Sequence, residues 1–471
     1  MNFKTIIKSL KNKDMLKRLG VVFAIIAIYR FIAHIPVPLA QPTQLKEMVT
    51  QAINQTDLGG FLNLLSGGAL TSFSIVMVGI SPYITASIIF QLLTKAIPSL
   101  EELSNDGETG RRKINQWTRI ASVPLAVFQS IAYIFILRQT ALAGANITLD
   151  NISLARWVVA ITSMVAGSIL LMWFGELITE QGVGNGISTI IFIGIVSQTP
   201  TMLAAIFSAL TNTSAGSLNV FGWFTLPISP LGLGLTVFLT VVGLLVLYLL
   251  VKINEAQRLI TINYAKRVHG NSTYGGIKSI LPMKLITAGV VPVIFAVAFL
   301  SLPAFIGQVM KSSGAENLQG VANNLILWFR TPTAQGFEAG GWQAMIYPIT
   351  YFILIVMFTY FYTSVVFNAD EIADNLQKQG GFIEGVRPGT QTAKFLRSSI
   401  NRLTLFGSFS LGLIAITPFV IDYVVYRFFG ISKVNFTIGG TGALIIVTVA
   451  LENLRQLSSR ALMVTYDEYK Q

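Results

Sequence analysis

Cysteine is absent from this 471-residue chain, and histidine occurs only twice, at His34 and His269. The first absence excludes disulfide frameworks and thiolate metal sites. Two histidines on separate segments do not by themselves make a metal centre. Charge is also scarce: 11% of residues are charged and 53% are hydrophobic. A soluble chain of this length folds into two or three cores and needs far more charge to cover them. Catalytic groupings are missing as well. Glu176 and Glu180 precede the run GVGNG at 182–186, with no partner set for acid–base chemistry. That run follows a helical pattern rather than a strand and lacks the Lys-Ser/Thr of a phosphate loop, so it reads as a tight turn.

What the chain does have is length in its apolar runs, roughly 18 to 25 residues each, enough to cross a ~30 Å hydrocarbon core. Helices are the spanning element for such runs, since each satisfies its own backbone polar groups. The spacing predicts an all-α polytopic membrane protein of ten spans, at 19–38, 74–96, 116–138, 154–177, 187–210, 232–252, 284–304, 344–367, 400–422 and 441–459. Ten is even, so both termini share a side. The formal charge of +12 is concentrated in the N-terminal segment, the loops 97–115, 253–283 and 368–399, and the tail at 461–471. The opposite loops hold chiefly Lys46, Lys311, Arg330, Arg427 and Lys433. By the positive-inside rule both termini are cytoplasmic. Residues 1–18, rich in lysine ahead of the first apolar run, imitate a secretory signal. The length of that run, and the spans that follow, favour a retained amphipathic segment on the membrane surface.

Five spans (19–210) precede the connection at 211–231 and five (232–460) follow it. Two halves with odd numbers of spans have opposite orientations, the arrangement of inverted repeats around a pathway. The stretch LGGFLNLLSGGALTSFS at 58–74 is apolar but too short and glycine-rich to span. Alternation at Leu259, Thr261 and Asn263 predicts a hairpin in the loop 253–283. In the loop 368–399, DEIADNLQK predicts a short helix ended by Gly380 and Gly381, and Arg387 precedes a Pro-Gly turn.

At these strings the chain resembles the SecY family, the large subunits of the bacterial Sec translocon. The resemblance runs in order through HIPVP at 34–38, GISPYITASIIFQLL at 79–93, GETGRRKINQWTR at 107–119 and LMWFGELITEQGVGNGISTIIFIGI at 171–195. It continues through AQRLITINYAKR at 256–267, LPMKLITAGVVPVIFA at 281–296, FNADEIADNL at 367–376, GVRPGTQTAKFL at 385–396 and GGTGALIIV at 439–447. The resemblance implies two five-helix halves with an hourglass pore between them, in the bacterial cytoplasmic membrane. Unfolded secretory proteins cross through the pore, and transmembrane segments leave it sideways into lipid. Signal sequences and nascent polypeptides are the cargo. The implied partners are the SecE and SecG subunits, the motor ATPase SecA, and the ribosome, with ribosomal RNA contact at most. No enzyme activity and no cofactor are implied.

Carried over residue by residue, the pore ring is Ile80, Ile84, Ile187, Ile191, Ile294 and Ile445. A narrow apolar ring dewets, so it blocks ions at rest and passes a chain without specific polar contacts. Isoleucines at this spacing are equally what a packed transmembrane core contains. The implied plug covers about 58–72, including Phe61, Leu62, Leu64, Leu65, Ser66, Gly67 and Gly68. The implied lateral gate, between the second and seventh spans, takes Thr85, Ser87, Gln91, Gln129, Ile286, Thr287 and Val290. Its polar members are expected to hydrogen-bond between helices. Many family members carry asparagine where this chain has Ile286, which shifts gate closure toward packing or the neighbouring threonine. Docking of the ribosome or SecA falls to Arg258, Arg267 and Arg387, with Leu259 where a second basic residue is common. The alternative of another class is a secondary transporter of small solutes, which also uses inverted repeats and needs midplane ionisable sites.

Overall fold

The structure, a computed structural model, describes residues 13–38, 69, 73–142, 154–200, 203–204, 207, 218–220, 224–226, 229–264, 267–269, 272–274, 278–287, 289, 291–312, 316–329, 332, 342–429 and 441–468. The plug positions 58–68 and gate residue Val290 lie outside the described residues, as do most of the N-terminal segment and residues 469–471 of the tail.

The first helix, α1 (Lys13–Ile32), ends ahead of Pro36 and Pro38, which cannot continue a helical hydrogen-bond ladder. Chain 33–38 instead pairs with the stretch 73–80. Val37 N donates to Phe73 O at 2.8 Å, and Ile75 N donates to Ile35 O at 3.0 Å. The predicted second span therefore begins without a helix. Its irregular backbone is held by the Ser74 hydroxyl on Ile32 O at 3.0 Å and the Ser168 hydroxyl on Gly79 O at 2.8 Å. Irregular backbone at this depth is tolerable only inside protein, and Phe73, Val76 and Ile80 are all at most 2% exposed.

Helix α2 (Ser81–Ala96) starts where Pro82 sits in the first turn, a place that needs no N–H. It bends by 107° into the short α3, Pro98–Asn105. There follow α4 (Gly107–Leu142), α5 (Leu154–Gln181) and α6 (Gly186–Val196). A small hairpin, β1 (Leu218–Val220) with β2 (Phe224–Leu226), precedes α7, Pro230–Glu255. The hairpin expected from the alternating pattern is present. Strand β3 (Gln257–Tyr264) pairs antiparallel with β6 (Lys278–Lys284), and a second small ribbon, β4 (Arg267–His269) with β5 (Ser272–Tyr274), lies between them in sequence. Because β6 runs to Lys284, the seventh predicted span is displaced along the chain: α8 covers Val291–Ser312, not 284–304.

Helices α9 (Glu316–Trp328) and α10 (Gln343–Val366) come next, then α11 (Ala369–Lys378), the short helix expected from DEIADNLQK. The side chain of Asn368 caps α11. Strand β7 (Gly381–Ile383) then joins the far edge of β3, giving a three-stranded sheet of order β6-β3-β7. Helix α12 (Thr390–Phe429) receives the sheet's buried face, where Ile260, Met283 and Ile383 pack with Leu396 and Ile400. The last helix, α13, runs Thr441–Glu468, well past the predicted span end.

Among the described residues, four stretches are long and apolar enough to cross a membrane: Leu154–Gln181, Gly232–Glu255, Gln343–Lys378 and Thr390–Phe428; the bent pair of α2 and α3 makes a fifth if counted as one span. Helices α1, α2, α4, α5 and α6 pack on one another, as do α7, α8, α10, α12 and α13. These two sets meet along two seams, α8 against α2 and α4, and α13 against α6.

Candidate pore constriction and gate

The largest hydrophobic cluster lies at those seams. Ile80 is the residue that caps α2, and its carbonyl accepts from Ile84 N at 3.1 Å, so the two side chains share one helical face. Ile187 and Ile191 repeat this spacing on α6, Ile294 sits in the first turn of α8, and Ile445 is in the first turns of α13. Five of the six are buried, none more than 8% exposed, and Ile187 packs against them half-buried; all six belong to one cluster. Four separate elements thus converge through isoleucine.

The expected gate residues behave differently from the expectation of bonds between helices. Thr85 Oγ1 donates to Ser81 O at 3.0 Å, and Gln91 Nε2 to Ser87 Oγ at 3.1 Å, both within α2. Thr287 Oγ1 donates to Lys284 O at 3.2 Å, again locally. Gln91 Oε1 and Gln129 Oε1 are buried with no hydrogen-bond partner among the described residues. Hydroxyls and amides on helices readily satisfy themselves on their own backbone one turn back, which removes them from cross-helix duty. Ile286 is buried in the central cluster and lies beside Gly407 of α12, where an added Cβ would approach it to 3.7 Å. Ile84 and Ile88 of α2 share that apolar cluster with Val293, Ile294 and Val297 of α8.

At the sheet end of the molecule, Arg258 on β3 and Arg387 after β7 are both exposed. The Arg387 main chain is fixed, since its carbonyl accepts the Thr392 hydroxyl at 2.9 Å, while its side chain projects from a turn whose Gly389 has φ +92°. A positive φ of that kind favours glycine. Arg267 lies on β4, on the same excursion of chain as Arg258.

The comparisons with known proteins agree over nearly the full chain. A family model described as SecY matches residues 74–454. The chain belongs to the SecY family. Relatives named protein translocase subunit SecY include one from Streptomyces galbus, 38% identical over 468 residues and covering 98% of each chain. Another, from Thermotoga maritima, is 34% identical over 463 residues, 98% of this chain and 96% of the relative. A solved protein-conducting channel superposes with TM-score 0.58 at 20% identity, over 94% of this chain and 90% of the other. A second, whose description concerns the SecY plug domain and the closed state, gives TM-score 0.59 at 17% identity over the same shares. This SecY-family chain is a multi-pass membrane protein that acts in protein translocation as a channel, and it is not an enzyme.

Several residues that hold this site were not singled out from the sequence. Gly167 lets α5 approach the Ile75 backbone, where a Cβ would lie 2.8 Å from the Ile75 carbonyl carbon, and Ser168 beside it anchors Gly79. Arg119 forms an ion pair with Glu176 at 2.6 Å, tying α4 to α5. The pair is partly exposed and contributes modestly, on the order of 0–1 kcal/mol. A small-polar pair within an apolar helix was the only available signal for the first of these.

Proposed function

We propose that the six isoleucines form the constriction of a protein-conducting pore, with α2 and α8 as a lateral gate and residues 58–72 as a plug. The observation that carries this reading is their convergence. Six isoleucines from four elements meet in one cluster, at the seams between the helices before and after the connection at 211–231. A constriction built this way dewets at rest and can widen around a chain of any sequence. The plug rests on the short apolar segment and on the family alone. The excess of lysine and arginine in the sheet-end loops puts that end, and both termini, in the cytoplasm of a bacterial cell. Arg258, Arg267 and Arg387 then face the cytosol as docking cations for SecA or a ribosome, and SecE and SecG complete the channel. One structural relative, at 19% identity and TM-score 0.53, is the channel of a canine ribosome–channel complex from the endoplasmic reticulum.

The test is reconstitution. The chain, assembled with SecE and SecG in vesicles and supplied with SecA and ATP, should carry a secretory precursor into a protease-protected lumen. A preparation that leaves the precursor accessible while importing small solutes would overturn the reading in favour of a solute transporter.

A further inference from the structure

Glu452 of α13 is a charged residue on the helix face that carries the ring. It follows Ile445 by seven residues, two helical turns, so the two side chains share one side of α13. With both termini cytoplasmic, Glu452 lies roughly 10 Å to the cytoplasmic side of Ile445. It is only partly buried. Two cations stand around it. The exposed Lys284, at the end of β6, feels both the Glu452 carboxylate and the Arg455 guanidinium. Partial burial and Arg455 pull the Lys284 amine below its usual range, and Glu452 opposes them. Arg455 is held in place: its guanidinium donates to Asn254 O at 3.3 Å, and Asn254 Nδ2 donates to Thr448 Oγ1 at 2.9 Å. Tyr362, near the end of α10, is within electrostatic reach of the same carboxylate. Strand β6 and helices α7, α10 and α13 thus bring polar groups to one place beneath the ring. Among the described residues no ion pair joins Glu452 to either cation. None of these side chains belongs to the ring, the gate or the docking cations.

We propose that Lys284, Glu452 and Arg455 form a charged collar at the cytoplasmic mouth of the pore, which senses the sign of charge on the passing chain and holds basic residues back. This rests on the pore reading above. An apolar ring opposes charge of either sign, because it strips water from both alike. Selection by sign needs fixed charge, and charged side chains lining a pore mouth supply it. Here two cations face one carboxylate, beside apolar walls that weaken screening. A basic residue arriving at the ring meets a repulsive field, and an acidic one an attractive field. Glu452 moderates that field. Removing its charge makes the mouth more positive, whereas removing the charge of Lys284 leaves one cation against one anion.

The test uses the channel assembled with SecE and SecG in vesicles and driven by SecA and ATP. Three precursors differ only in a short run within the mature region: arginine, glutamate or glutamine. Arginine is chosen because it stays charged in any surroundings. Each transport rate is divided by the same variant's rate for the glutamine precursor. The native channel should pass the arginine run more slowly than the glutamate run. Glu452→Gln should slow the arginine run a further several-fold. Lys284→Gln should bring the two charged runs closer together, and Lys284→Glu should make the glutamate run the slower one. A merely structural role would lower all three rates together and leave the ratios where they were, and that result would overturn the collar. Should Glu452→Gln assemble poorly, the two Lys284 variants, made at an exposed side chain, decide alone. Failure of even the glutamine precursor to cross in the native channel would instead overturn the pore reading on which the collar rests.

Discussion

At the scale of the residue, isoleucine suits a constriction that must be tight at rest and indifferent to sequence. Its branched side chain is stiff at χ1 and offers water no hydrogen bond. Ile84, Ile191 and Ile445 are 8%, 2% and 2% exposed, and each comes from a different helix. Replacing all three by serine should hydrate the ring. Lost packing at each site releases ~2–4 kcal/mol if the site is fully buried, and a gate balanced within a few kcal/mol responds to that. The expected result in a planar bilayer is a resting ion current and easier passage of precursors with defective signal sequences. The control is a triple replacement of Ile28, Ile349 and Ile353, all about half exposed on outward faces. Equal current from the two triples would remove the ring from this account. Arg387 is governed by different physics, because its charge has few internal obligations and only its main chain is anchored. Arg387→Glu should leave folding and SecE association intact and lower SecA-driven transport several-fold, chiefly through a weakened encounter. Loss of SecE association in a pull-down would show that Arg387 is structural.

At the scale of the element, the gate is a pair of helix faces, and its prediction concerns their separation. Cysteines placed near Ser87 on α2 and at the start of α8, around Val290, should cross-link at rest and stop precursor transport. Transport at the native rate with the link complete would show that these helices do not part. The elements themselves were unequally legible in the sequence. Apolar length located the helices, since each predicted span coincides at least in part with a helix. The alternation at Leu259, Thr261 and Asn263 marked a strand, because period two survives on a half-buried sheet. Other boundaries were hidden for physical reasons. Residues 74–80 are as apolar as a helix, but they are held irregular by Ser74, Ser168 and Gly167, whose partners lie far off in sequence. Lys284 to Ile286 looked like the start of a span because a buried strand end and a buried helix start have the same composition. Strand β7 is only three residues long, and its pairing with β3 is set by the fold rather than by any local pattern. The hydroxyls and amides read as gate residues bond within their own segments, and no sequence rule says whether a threonine bonds across to a neighbour or back to its own helix.

At the scale of the whole molecule, the proposed ten-span topology puts the three-stranded sheet, the α11 helix and the basic loops on one side of the membrane. It puts the connection carrying the small β1–β2 hairpin, between α6 and α7, on the other. Loops near a span resist transfer across the membrane in proportion to their lysine and arginine, and acidic residues do little to offset them. The sheet-end loops gather Arg111, Arg112, Lys113, Arg258, Lys278, Lys378, Arg387 and Lys394, whereas the stretch 211–229 has no lysine or arginine at all. The asymmetry predicts one orientation. Single cysteines at Gly385, in the turn before Arg387, and at Asn219, on β1, should react with a membrane-impermeant maleimide from opposite sides. In intact cells only the position 219 cysteine should label from outside; in inverted vesicles only the position 385 cysteine should. Labelling of both from one side would mean that an odd number of crossings does not separate them, and the ten-span topology would fail. Labelling on the reverse sides would keep the topology and defeat the charge argument. It would also leave Arg258 and Arg387 facing away from any ribosome or ATP-driven motor, so the same two labels bear on the docking reading as directly as on the fold.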